Sequence, residues 1–159
     1  MIFPELQGSN LHRQKITLPA DLQGELNILF IPFYQWHQNL VDAWVPLARQ
    51  LERELPGVTY YELPVIRSMN ILSRTFINEG MRAGIPDPIS RERTITLYLD
   101  KDAFRRMLDM PDEETIYILV VDREGNVVWR AQGAYSEEKG AQLTGALQEM
   151  LYVKAGHEQ

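Results

Sequence analysis

The chain has 159 residues, 45% hydrophobic and 24% charged, a composition that predicts one globular domain able to bury a core without staples. Its 16 Lys and Arg against 22 Asp and Glu give a formal net charge of -6, which argues against nucleic acid as a partner, and no apolar run is long enough to span a membrane. Cysteine is absent, which excludes disulfides, thiolate catalysis and thiolate metal sites together.

Residues 1–26 read as a turn-rich leader laid on the core, with Pro4, Gly8, Pro19 and Gly24 separating short pieces and Gln14 to Leu18 as an edge strand. The first residues lack a basic stretch followed by an apolar core, so the expected localisation is cytoplasmic. Residues 27–65 predict a βαβ unit. Ile28 to Phe33 is an apolar run of strand length, and Leu40, Trp44, Leu47, Ala48, Leu51 and Leu55 recur at helical spacing behind it. Asn39 and Asp42 resemble a capping pair, Pro46 inside the helix should remove a hydrogen bond and bend it, and Pro56-Gly57 stops it. Val58 to Val65 reads as a second strand, parallel to the first.

Residues 66–111 predict helix, strand, helix. Ser68, Met69, Leu72, Phe76 and Ile77 mark the first helix, which the loop Gly84-Ile85-Pro86-Asp87-Pro88 closes. Thr94 to Leu99 alternates as a strand, and Asp100 to Met110 is a short helix packed through Phe104, Met107 and Leu108. In residues 115–151, Ile116 to Val121 reads as a central strand covered on both faces, and Asp122 to Asn126 turns it into an antiparallel return from Val127 to Ala131. Ser136 is the expected N-cap of a last helix whose stripe is Leu143, Leu147, Met150 and Leu151.

This order resembles the thioredoxin-like fold, in its peroxiredoxin and TlpA-like branch: a mixed central sheet with a βαβ unit, a C-terminal β-hairpin and flanking helices. The likeness rests on Phe3-Pro4-Glu5-Leu6 with Gly8, on the strand-to-helix turn with Pro46, and on Ile118 to Arg130 with Gly133. Setting Pro46 on the helix proline of thioredoxins puts Gln38 and Val41 where the active-site cysteines would lie, with Asn39 and Leu40 between them. Ile116 then stands where that family carries its cis-proline. Gln35-Trp36, Val41, Trp44 and Pro46, followed by the Val121 to Trp129 hairpin and Gly133, also resemble the mitochondrial ATP synthase assembly factor family, which is thioredoxin-like without an active-site pair.

Few residues carry chemistry on their own. His37 stands at the helix start, where a base or ligand would sit, although an exposed polar turn residue is the simpler reading. His12 and His157 lie far off in leader and tail, so no metal site is expected, and no cofactor motif is present. Trp44 belongs to the buried stripe, whereas Tyr34 and Trp36 are amphipathic aromatics at the sheet's ligand end. Asp109, Asp112, Glu113 and Glu114 form no calcium-loop pattern and read as a solvated turn. Arg67, Arg74, Arg82, Arg91 and Arg93, diluted by Glu79, Asp87 and Glu92, read as a solvated face.

Three functions follow as expectations. The first is a redox-inactive thioredoxin-like protein that binds another protein or itself through Tyr34, Trp36, His37, Gln38, Asn39, Val41 and Ile116. The second is a non-thiol enzyme with His37 as base and Asn39 or helix N-terminal amides as oxyanion donors. The third is a structural subunit that forms oligomers through an exposed sheet edge.

Overall fold

A computed structural model describes residues 1–67, 71–85 and 87–157. The leader forms an antiparallel hairpin of β1 (Leu6–Asn10) and β2 (Lys15–Leu18). Next come β3 (Leu26–Ile31), a 3-10 turn at Gln35–His37 and helix α1 (Gln38–Glu54). The chain returns in β4 (Val58–Glu62), parallel to β3, and resumes as β5 (Val65–Arg67). Helices α2 (Ile71–Gly84) and α3 (Pro88–Arg93) lead to β6 (Ile95–Leu99) and α4 (Lys101–Met107). The hairpin of β7 (Tyr117–Asp122) and β8 (Val127–Gln132) precedes α5 (Glu137–His157).

The strands order as β4-β3-β7-β8 and β2-β1-β6-β5, two sets joined at Leu63-Pro64. Proline has no N–H to give the ladder, so the strand changes partner there. Leu63 still donates to the Phe30 carbonyl at 2.8 Å and Val65 to that of Pro32 at 2.9 Å, while the Pro64 carbonyl turns outward and accepts from Leu97 at 2.9 Å. The expected single strand from Val58 to Val65 is therefore two strands with different neighbours.

Alternation along β3 and β7 sorts their side chains onto opposite sides of the sheet. Leu26, Ile28 and Phe30 join Ile118 and Val120 beneath α1 and α5, against Val41, Trp44, Leu51, Leu143 and Leu147. Leu29 and Ile31 join Tyr117, Leu119 and Val121 on the other side, with Phe3, Leu18, Phe104 and Leu108. Covering both faces explains why both strands read as unbroken apolar runs.

Several expectations are corrected. The leader contributes two strands, and β1 is docked on β6, so it is part of the sheet system and more than a cover. The Asn39–Asp42 capping pair does not form, because α1 starts at Gln38 straight out of the 3-10 turn and the Gln38 amide donates to Asp42 instead. Phe76 is 82% exposed and Met107 is also exposed, so neither packs its helix, while Phe104 and Leu108 do. The expectations at Ser68, Met69 and Pro86, and for the side chain of Leu72, lie outside the described residues. Helix α3 begins at Pro88, where the expected loop ends, and was not itself anticipated; Asp87 caps it by accepting from the Ser90 N–H, with Pro88 in its first turn. At least three of the five arginines are structural rather than solvated: Arg91 donates to the carbonyls of Ile85 and Arg82, Arg93 pairs with Glu52, and Arg74 lies 5.1 Å from the centre of the Tyr98 ring. Among the described residues no helix is long and apolar enough to cross a membrane.

Candidate functional site

The turn between β3 and α1 is built by backbone needs first. After Ile31 leaves the sheet, the Phe33 N–H has no strand partner, and the chain satisfies it with the ring of His37, whose Nδ1 accepts at 2.9 Å. The His37 N–H closes the 3-10 turn on the Tyr34 carbonyl at 3.0 Å. This arrangement draws the imidazole inside, packed edge-on to Phe33, Tyr34 and Trp36. The expected exposed histidine is therefore 0% exposed, a structural acceptor whose ring replaces a lost backbone partner. Burial lowers its pKa, opposed by the Glu114 backbone and helped by Lys101, so the ring stays neutral. A base that takes a proton from substrate must reach it, and this ring faces inward with Nδ1 occupied.

The same fold of the turn pushes Tyr34 and Trp36 outward, to 43% and 58% exposure. Tyr34 is fixed: its hydroxyl donates to Glu113, which raises the phenol's pKa, and Lys101 lies 4.4 Å over its ring while donating to the Phe33 carbonyl at 2.7 Å. Glu113, expected in a solvated turn, thus holds the rim of the site. Trp36 rests one edge on His37, 4.3 Å between ring centres, and presents the rest to solvent. Asn39 is exposed and Gln38 half-buried. Val41 and Ile116 are fully buried in the core beneath α1, so the surface a partner meets at this turn is narrower than the seven positions expected, with these two as its support.

Beside Gln38 the structure opens a cleft that sequence reasoning missed. It has a volume of about 140 Å³ and lies between α1, β4 and α3, lined by Asp42, Arg49, Tyr60, Glu62 and Arg93. Glu62 sits at its floor. Among the described residues its carboxylate accepts only from Gln38 at 3.4 Å and Thr94 at 3.3 Å, and burial raises its pKa. Strand parity carried the signal: Val58, Tyr60 and Glu62 share one face of β4, and the first two are buried beneath α1. Among the described residues no group of three or more His, Asp and Glu could hold a metal ion.

A family model described as ATP10 protein, the ATP synthase assembly factor family, matches residues 1–150. The chain belongs to this family. Comparison with individual curated proteins returns no match. Among solved structures, the ATP10-family chain resembles the exposed lipoprotein thioredoxin of Streptococcus pneumoniae strain TIGR4, with 15% identity over 92% of this chain and 99% of that one and a TM-score of 0.56. It also resembles a thiol:disulfide interchange protein from a Bacteroides species (16% identity, 93% and 86% covered, TM-score 0.55). A third likeness is to the thioredoxin domain of a thiol-disulfide oxidoreductase from Bacteroides vulgatus (15% identity, 92% and 96% covered, TM-score 0.57). At such identities the likeness is one of fold: this member of the ATP10 family has a thioredoxin-like fold. Those proteins are named for thiol chemistry, whereas this chain has no cysteine with which to perform it.

Proposed function

We propose that this protein acts by binding another protein, as an assembly factor for ATP synthase, and that the strand-to-helix turn is its contact surface. The carrying observation is Trp36, an indole 58% exposed on a turn whose backbone is otherwise fixed by buried hydrogen bonds. Large aromatics pre-positioned on rigid supports lose little entropy on binding and dominate interface energies. Family membership supports an assembly role, and the missing cysteines remove thiol-disulfide exchange from this cleft.

The test separates surface from core. Trp44, fully buried, sits 6.2 Å from Phe30 and 5.3 Å from Tyr135 between ring centres, and its Nε1 donates to the Gly133 carbonyl at 3.1 Å. Trp44→Ala should cost about 3–5 kcal/mol in urea melts, as for a buried aromatic. Trp36→Ala should change stability by less than about 1 kcal/mol and yet abolish co-purification of ATP synthase subunits from the native cell. Undiminished capture by the Trp36→Ala protein would remove this turn from the contact surface.

A further inference from the structure

We infer that the partner segment received at this turn is basic, with a Lys or Arg side chain entering the cleft between α1, β4 and α3 against the carboxylates of Asp42 and Glu62 while Trp36 covers its apolar stem. This rests on the reading of the turn as a protein-binding surface, and it adds the chemistry of what that surface receives.

Of the cleft's two arginines, Arg93 is paired with Glu52, while Arg49 pairs with no carboxylate among the described residues and acts on Glu62 only through its charge. Arg93 donates to Glu52 at 2.6 Å and to the Tyr60 carbonyl at 3.0 Å, and its guanidinium lies 4.3 Å from the centre of the Tyr60 ring. Arg49 donates to the Tyr60 hydroxyl at 3.3 Å. Asp42 and Glu62 have no ion pair of their own among the described residues; one neutral amide serves both, with Gln38 Nε2 at 2.8 Å from Asp42 and 3.4 Å from Glu62. Asp42 is exposed, whereas Glu62 is half-buried with only neutral donors, at 3.3 and 3.4 Å, among the described residues; such a carboxylate is poorly compensated, and an ammonium or guanidinium supplies what is missing.

Charge on the other side of the turn has the same sign. Glu113 and Glu114 follow the short loop after α4; Glu113 accepts from the Tyr34 hydroxyl and lies 3.9 Å from Arg105 Nε, whose other nitrogens donate to the Pro111 carbonyl at 3.1 Å and to Asp102 at 2.6 Å, while Lys101 is held by the Phe33 carbonyl. Buried His37 is neutral and offsets nothing. Trp36, two residues before Gln38, stands at the same helix start. Long basic side chains lay an apolar stem along such rings and deliver their charge beyond it.

Three fluorescently labelled peptides of one length, alternating Leu with Lys, Gln or Glu, test this by anisotropy on the intact protein. The Lys peptide should bind, more weakly as salt rises, and the Gln and Glu peptides should not. Asp42→Asn with Glu62→Gln should weaken Lys-peptide binding by at least about tenfold without loss of the folded state in a melt. The control Glu137→Gln with Glu138→Gln, which removes acids from the start of α5, should leave it unchanged. Equal loss in the control would mean attraction to overall charge and would overturn the inference, as would preference for the Gln or Glu peptide or absence of binding by all three. A Gln or Glu preference that Trp36→Ala removes would overturn the basic partner and keep the turn as a binding surface. A concentration-dependent dimer dissolved by Trp36→Ala would make a second copy the occupant and overturn it too.

Discussion

His37 shows how one side chain can shape a turn by accepting a single backbone hydrogen bond. Its Nδ1 accepts the Phe33 N–H, so the neutral ring is the one the fold requires. Burial lowers its pKa below the ordinary value of about 6.5 found in an unfolded chain. Below about pH 6.5 the unfolded chain gains a proton that the folded one refuses, so this contribution to stability is present above that value and falls away as pH drops toward the folded-state pKa. Glu62 works in the opposite sense: burial raises its pKa, so its cost to stability grows as pH rises from the ordinary carboxylate range through the raised value. The histidine's share can be isolated with His37→Asn, which keeps an acceptor near Nδ1 and removes the titration. Between about pH 7.5 and about pH 5.5 the unaltered protein should lose more stability than His37→Asn in urea melts at each pH. His37→Leu, which leaves the Phe33 N–H without a partner, should cost about 1–3 kcal/mol at every pH. Parallel pH profiles for the unaltered and Asn proteins would show that the ring takes a proton as readily in the folded state as in the unfolded one.

Elements that bury apolar side chains at their own period were legible in the sequence, and those held by backbone alone were not. β3, β7 and the buried stripe of α1 follow from runs and spacings. β1, Leu-Gln-Gly-Ser-Asn, has no apolar alternation, because its place depends on ladders to β2 on one side and β6 on the other. α3 is too short to show a periodicity, though its Asp87-Pro88 start was a readable cap and helix-start signal. At the candidate site, the amphipathic character of Tyr34 and Trp36 allowed exposure without deciding it, and the inward turn of His37 depends on one hydrogen bond that no polarity pattern encodes. Glycine positions test the leader's place in the sheet. A Cβ on Gly8 would lie 2.7 Å from the Thr96 carbonyl oxygen and 2.8 Å from side-chain carbons of Ile95 and Leu97, all on β6. Gly8→Ala should therefore cost about 1–3 kcal/mol, as for overpacking. Gly80, within α2 and open on every side, should gain about 0.5–1 kcal/mol on replacement by Ala. Urea midpoints that move in these opposite directions establish the hairpin as part of the cooperative fold; a silent Gly8→Ala would mean that β1 docks loosely.

On the scale of the whole molecule, a thioredoxin-like sheet and its helices surround a turn that carries no cysteine. If the thioredoxin register holds, the start of α1 should have the geometry for a disulfide. Gln38 and Val41 open α1 three residues apart, where side chains share a face with Cβ atoms roughly 5–6 Å from each other. One turn of helix can bring such a pair within the Cα separation of roughly 4.4–6.8 Å that a disulfide requires. Their environments also differ usefully: position 38 is half-exposed at the first residue of the helix, where the backbone N–H groups favour a thiolate, and position 41 is fully buried behind it. The double variant Gln38→Cys, Val41→Cys should close an intramolecular disulfide under mild oxidation, leaving no free thiol in a folded monomer by titration, with position 38 the faster to be alkylated once reduced. Reduction of insulin should remain slow, because a reductase must also seat its substrate, and the residue before the C-terminal hairpin is a buried Ile116 that offers no substrate contact. Two persistently free thiols in the folded variant would show that α1 does not start in the thioredoxin register, and the alignment of Gln38 and Val41 with the lost cysteines would fall with it.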